Sequence, residues 1–328
     1  MYYLPSGYTK ETFMSLRSLN FRLVGALALV FLLLLSACGT SGNSDSSYSG
    51  SFKGQLTVAS KLDIESQLLA KMYTLLLRKE GFQINEKPAL GNSTIIFQAI
   101  TYDSIDLYPE FTGTGLNRLH IPSTYNPLKD YQMVKDDFKK KYKLTWLDPT
   151  LLLNDGYTFC TMKENAQMLG LVSISDIVPK VSQLTLTTPS DATPFVDGLK
   201  RVYKITTRSF KSVKTIDYAL GFEAVKNGKA QITVCYSTDA NVPQSGFIFL
   251  KDDKNGFPPS HPAPLVRSNI LQRYPDISRI LNPLAPRLTT DVSIQLQIQV
   301  TQKKNEGASV FRAVTLVATD FLKREGLL

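Results

Sequence analysis

The sequence predicts an α/β fold with mostly parallel sheets, arranged in two lobes. The chain beyond residue 52 opens as strand, helix, strand, helix, that alternation restarts near Tyr157, and about 275 residues are available, enough for two lobes.

Gln55 to Ala59 has strand composition, and Asp63 is a plausible N-cap for a helix whose apolar stripe is Ile64, Leu68, Met72, Leu75 and Leu76. Gly81 closes that helix. Phe82 to Ile84 reads as the second strand and Thr94 to Ala99 as the second helix. Asp130 to Lys141 is a charged helix before Leu144-Thr145-Trp146-Leu147-Asp148-Pro149, where a lone tryptophan on a strand is a core residue more often than a ligand platform. Tyr157 to Met162 starts the second unit. Helices follow at Ile174 to Ile177, Asp197 to Tyr203 and Tyr218 to Asn227, with strands at Leu184 to Thr187, Ala230 to Tyr236 and Phe247 to Leu250. The C-terminal part reads as helical at Arg267 to Tyr274, Asp276 to Leu281, Thr290 to Gln299 and Ala308 to Arg324.

Ahead of this lies a targeting segment. Lys10, Arg17 and Arg22 form a basic region, and Leu23 to Leu35 is an apolar run too short for a comfortable span. It ends in Leu35-Ser36-Ala37-Cys38-Gly39, the pattern of a bacterial lipobox, so residues 1–37 read as a signal peptide and Cys38 as the lipidated first mature residue. Met14 is an alternative start. Residues 38–52 are rich in Ser, Gly, Asn and Asp, cannot bury enough surface to fold, and read as a flexible tether. The expected location is the outer face of a bacterial plasma membrane.

The formal charge of +9 becomes +7 once Lys10, Glu11, Arg17 and Arg22 are removed. The lysines are scattered, the dense clusters being 139–141 and 303–304, so nucleic acid is not an expected partner. Cys160 and Cys235 sit in apolar, strand-like runs and read as two buried free thiols, with a disulfide as the alternative. His120 and His261 cannot build a His-rich metal site. There is no G-x-S-x-G elbow, phosphate-binding P-loop or dinucleotide fingerprint. Neither a metal nor a cofactor is expected, and the chain does not read as an enzyme.

The segment Ile105-Asp106-Leu107-Tyr108-Pro109-Glu110-Phe111-Thr112-Gly113-Thr114-Gly115 reads as a strand running into a Pro and Gly bend beside a cleft. Asp106 and Glu110 need not converge there, and a solvated or hinge-capping role is expected for them. This segment resembles the I-D-L-Y-P-E-Y-T-G-T-G of the glycine betaine, choline and carnitine receptors of ABC importers. The resemblance runs from about Leu56 to about Phe321, with further anchors at Met72-Tyr73, 146–149, 236–239, 250–254, 257–259 and 263–265.

That resemblance implies a periplasmic-binding-protein fold of type 2, with residues 53–147 and 252–328 in one lobe, 148–251 in the other, and the ligand in the cleft between them. It implies a monomeric receptor that passes a quaternary ammonium compound to a permease driven by a separate ATPase. A trimethylammonium group has no N–H to donate, so aromatic faces must hold it. The family's cage positions fall on Phe111, Tyr157, Tyr236 and Ser260, with Thr114 as a polar contact. Ser66 stands where glutamine is frequent, and Ala192 where arginine is frequent. His261, next to Ser260, is a candidate replacement for the lost aromatic wall, against the alternative of an exposed loop histidine without a role. Tyr157 and Tyr236 are otherwise ordinary core aromatics, and Phe111 and Thr114 a core and a turn residue. The competing readings are a receptor for another small cation or amino acid, and a non-transport lipoprotein or an enzyme on the same scaffold.

Overall fold

The computed structural model describes residues 52–328. The expected signal peptide, the lipidation site at Cys38 and the tether up to residue 51 lie outside the described residues. Among the described residues no helix is long and apolar enough to cross a membrane.

In β1 (Gly54–Ala59), Leu56 and Val58 alternate inward. The Asp63 carboxylate accepts from the Ser66 amide at 2.7 Å and starts α1 (Ile64–Lys79), whose Leu68, Met72 and Leu76 are buried at spacings of four residues. β2 (Phe82–Lys87), α2 (Ser93–Thr101), β3 (Leu107–Phe111), α3 (Thr112–Leu119), α4 (Pro127–Tyr142) and β4 (Leu144–Trp146) follow. The second lobe contains β5 (Tyr157–Met162), α5 (Lys163–Leu169), β6 (Thr185–Thr188), β7 (Ser212–Thr215), α6 (Tyr218–Lys226), β8 (Ile232–Tyr236) and β9 (Phe247–Leu250). The chain then returns through β10 (Pro262–Arg267) to α7 (Thr290–Asn305) and α8 (Val310–Arg324), which pack on α1 through Val300, Val314 and Phe321.

There are two five-stranded sheets, ordered β2-β1-β3-β10-β4 and β7-β6-β8-β5-β9. In each, four strands run the same way and one is reversed: β10 is antiparallel to β3 and β4, and β5 to β8 and β9. The reversed strands are the ones entered after the chain crosses between the lobes, at 147–156 and 251–261. Trp146 is buried, edge-on to Phe138 at 5.4 Å, and belongs to the core.

Two expectations need correction, and the strand β10 carried no expectation. Gly113-Thr114-Gly115 is the first turn of α3 and not a bend. The glycines serve close approach instead: a Cβ on Gly115 would lie 3.0 Å from Trp146 and Val134, and one on Gly113 would lie 2.9 Å from the Ser260 hydroxyl. Residues 262–267, dense in proline, form the interior strand β10, between β3 and β4. Arg267 N donates to Asp106 O and Thr112 N to His261 O, so the pairs Pro109–Pro264 and Phe111–Pro262 fall at non-hydrogen-bonded positions of the ladder. Toward β4, Leu147 N still donates to Pro264 O. The Leu147 carbonyl, which proline cannot serve, accepts from the Tyr131 hydroxyl at 2.7 Å. The helix expected from Asp197 to Tyr203 instead runs from Thr193 to Gly198 and tightens into a 3-10 turn at Leu199–Arg201, while α5 and β7 were not foreseen.

Cys160 and Cys235 are joined in a disulfide, which overturns the free-thiol expectation. They lie 75 residues apart in sequence, and only the pairing of β5 with β8 brings their Cα atoms to 5.9 Å. Disulfides typically contribute about 2–4 kcal/mol, and a loop of that length belongs at the upper end of this range. Replacing both cysteines by alanine is therefore expected to lower Tm by about 2–4 °C for each kcal/mol lost. Alkylation of the denatured, unreduced protein, read by peptide mapping, should modify neither residue, and modification of both would refute the bridge.

Candidate functional site

The elements that meet at the crossings wall a cavity of about 520 Å³. The first lobe contributes the start of α1, the end of β3 and the first turn of α3; the second contributes the end of β8 and the turn after it, and Asp155 comes from the first crossing. Because Asp63 fixes where α1 begins, Ile64 and Glu65 in its first turn reach the cavity.

The register of β5 with β8 sets Tyr157 opposite Tyr236. Their rings stack with centroids 4.7 Å apart and planes 28° apart, and the hydroxyls approach to 3.1 Å. Tyr236 is 38% exposed and lines the 520 Å³ cavity, whereas Tyr157 lines an adjoining one of about 460 Å³. The stack continues to Phe195, 5.4 Å from Tyr157, and to Tyr218, 5.3 Å from Tyr236. Tyr218 donates to Asp239 at 2.8 Å and accepts from Tyr236 N at 3.1 Å. Phe195 and Tyr218 escaped the sequence reading because nothing local marks their rings as neighbours of the tyrosine pair. Burial raises Tyr157 and Tyr236 above the ordinary phenol value, so both hydroxyls keep their protons near neutrality.

Phe111 and Thr114 also line the cavity, so three expected aromatics and the polar contact gather around the crossings. The Lys61 ammonium sits 4.8 Å from the Phe111 ring centroid, and that ring already faces a cation of the protein itself. Lys61 is ion-paired with Glu110. Glu110, expected to be solvated, is fully buried, and also accepts from the Tyr108 hydroxyl at 2.8 Å and from Phe111 N at 2.9 Å. Asp106, just before the middle strand β3, joins Arg267 of β10 and accepts from Thr57 N of β1, so it ties the strands of the first sheet together.

The remaining expected residues do not reach the cavity. Ser66 is buried and accepts from Lys61 N at 3.0 Å. Ser260 lies against Gly113, with its amide donating to Asn154. His261, the last residue of the crossing before β10, is 3% exposed and so is not an exposed histidine, and its amide donates to Thr112 Oγ1. Its Nδ1 donates to the Leu153 carbonyl at 2.7 Å, and the ring is buried away from the cavity lining, so it does not stand in for a missing wall; burial also lowers its pKa and keeps the ring neutral.

Carboxylates are the feature of this cavity that the motifs did not signal. Asp63, Glu65, Asp155 and Asp239 all line it. The Thr238 hydroxyl is 2.7 Å from Asp155 and 3.3 Å from Glu65, whose other oxygen accepts from Ser293. Burial, reinforced by the neighbouring Asp155 and Asp63, holds Glu65 well above the usual carboxylate range; burial also pushes Asp155 up to about 7. Among the described residues no group of His, Cys, Asp and Glu is gathered tightly enough to hold a metal ion.

Because folding raises the Asp155 pKa, ionising it costs stability as pH climbs from about 4 through 7. Asp155→Asn keeps the shape and cannot ionise. It should raise Tm at pH 8, by about 2–4 °C for each kcal/mol recovered, and the gain should shrink toward pH 5. A Tm lowered equally at both pH values would refute the assignment.

Comparisons with known proteins agree with this architecture. A solved structure described as a glycine betaine/carnitine/choline ABC transporter superposes with a TM-score of 0.70 at 24% identity, over 84% of this chain and 99% of that one, which establishes the two-lobed fold. The carnitine transport binding protein of Listeria monocytogenes is 26% identical over 92% of this chain and 95% of its own length. The ergothioneine transport permease/ergothioneine binding protein of Helicobacter pylori is 28% identical over 83% of this chain, which spans 48% of that longer protein. Residues 54–323 match the family model described as the substrate-binding domain of the ABC-type glycine betaine transport system, and the chain belongs to that family.

Proposed function

We propose that this substrate-binding protein captures a quaternary ammonium compound such as choline, glycine betaine or carnitine. It works outside the cytoplasm and delivers the ligand to an ABC permease whose ATPase does the transport work. The lobes divide as 53–147 with 252–328 and 148–251, and they close over the ligand. The observation that carries this reading is the gathering of Tyr236, backed by Tyr157, with Phe111 at one cavity contributed by both lobes. Aromatic surface attracts a cation that offers no hydrogen-bond donor, and it covers the methyl groups at the same time. Cys38, carrying a diacylglycerol, anchors the receptor to the membrane.

Calorimetry of the mature protein with choline, glycine betaine, carnitine and ergothioneine is the direct test. One-to-one binding of at least one, with no turnover of it, is expected. Binding confined to a ligand without a quaternary ammonium group would overturn the proposal, and consumption of a bound ligand would favour an enzyme. Replacing Tyr236 by alanine removes a contact worth up to about 2 kcal/mol and should weaken binding roughly tenfold or more, while phenylalanine should cost much less. An alanine variant with unaltered affinity would make Tyr236 a packing residue only. For the anchor, Cys38→Ser should abolish incorporation of labelled lipid, and unchanged incorporation would disprove it.

A further inference from the structure

The charges around the cavity are lopsided. Asp63 and Glu65 enter from α1, Asp155 from the first crossing and Asp239 from the turn after β8, while Lys61 is the one basic residue lining it among the described residues. Lys61 is already committed, since its ammonium is paired with buried Glu110 and lies over the Phe111 ring. None of the four carboxylates has a lysine or arginine within ion-pair distance among the described residues.

Neutral donors serve them instead. Asp63 accepts from Ser66 N, and Asp239 from the Tyr218 hydroxyl and the Asn241 amide. Glu65 and Asp155 lie within reach of the single hydroxyl hydrogen of Thr238, and Glu65 accepts from Ser293 as well, so Asp155 is the one whose side chain has no neutral donor beyond Thr238. Glu65 is buried and Asp155 half-buried beside it, with no basic group in ion-pair contact with either, and a negative charge on this pair favours a cation arriving between them and repels an anionic group. The carboxylates are spread over three wall segments and do not converge as metal ligands, an arrangement suited to a diffuse organic cation that also needs the aromatic surface of Tyr236.

Resting on the reading of this cavity as the ligand site, we propose that the ligand carries a net positive charge and no carboxylate, so that a choline-type ammonium alcohol binds in preference to zwitterions such as glycine betaine and carnitine. Like-charge juxtaposition is an effective means of rejecting a near-isosteric partner. Choline and glycine betaine share the trimethylammonium group and differ at the far end, so the comparison isolates the charge of the tail.

Calorimetry at pH 8 and low salt should compare choline, tetramethylammonium, glycine betaine and carnitine on the mature protein. Choline is expected to bind at least about tenfold tighter than either zwitterion. Asp155→Asn should weaken choline about tenfold and narrow the gap to glycine betaine, even though the same variant is expected to be more stable at this pH. That opposite movement of affinity and stability separates loss of a counter-charge from a folding defect. Glycine betaine or carnitine binding as tightly as choline would overturn the inference while leaving the quaternary ammonium reading intact. If no trimethylammonium compound binds, that reading fails, and the charge inference is judged on putrescine against proline and glutamate. Retention of the diamine alone upholds it; binding of either amino acid, or of none of the three, overturns it.

Discussion

The insertion of β10 between β3 and β4 is the contact on which the arrangement of the site depends. Residues 262–267 return from the second lobe and pair with both neighbours, so the first sheet takes a strand from chain that follows the whole of the second sheet. That pairing holds the crossing at 251–261 against the one at 147–156 through Thr150 N to Pro262 O and Asp155 N to Ser260 O. It also positions the end of β3, and with it Phe111 and the first turn of α3. The strand tolerates its prolines because their missing donors fall where the ladder needs none, or where Tyr131 supplies a substitute. The tight seat of Gly115 on Trp146 lets α3 lie close enough for Thr114 to reach the cavity.

Around this frame the protein treats buried charge in two ways. Glu110 is closed off: Lys61, the Tyr108 hydroxyl and the Phe111 amide satisfy it, and the pair stiffens the wall without asking anything of a ligand. Asp155 is left short, since the Thr238 hydroxyl it accepts from also faces Glu65, which has Ser293 besides. Thr238 comes from the second lobe and Glu65 from the first, while Gln297 on α7 donates to the Thr238 carbonyl at 2.9 Å. The network that sets the charge of the cavity is therefore also one that ties the lobes together. A cation placed there would act on ligand affinity and on the relation of the lobes at the same time.

How much of this could be read beforehand depends on the range of the interaction concerned. Asp63 as an N-cap, the buried stripe of α1, the strands at 55–59, 157–162 and 247–250, and the core role of Trp146 all rest on neighbours a few residues apart, and all are present. The segment 105–115 carries the family resemblance in residues adjacent in sequence, although its glycines, which read as a bend, are sites of close packing in a helix. Phe111, Thr114, Tyr157 and Tyr236 meet around the crossings, while Ser66, Ser260 and His261, which the same resemblance marks out, are turned elsewhere. Whether a side chain faces a cavity or the core is decided by what packs against its other side.

By itself, then, the sequence determined the alternation of strand and helix, the caps, the family and the aromatic character of the site, because these follow from local backbone preference and from short ordered motifs. Tertiary structure alone decided that Cys160 meets Cys235, that a proline-rich run becomes an interior strand, that His261 is buried, and that four carboxylates from three separate segments share one cavity. Each of those depends on which strands become neighbours after two crossings of the chain, and residues 75 or more apart carry no local sign of the partner that folding will bring beside them.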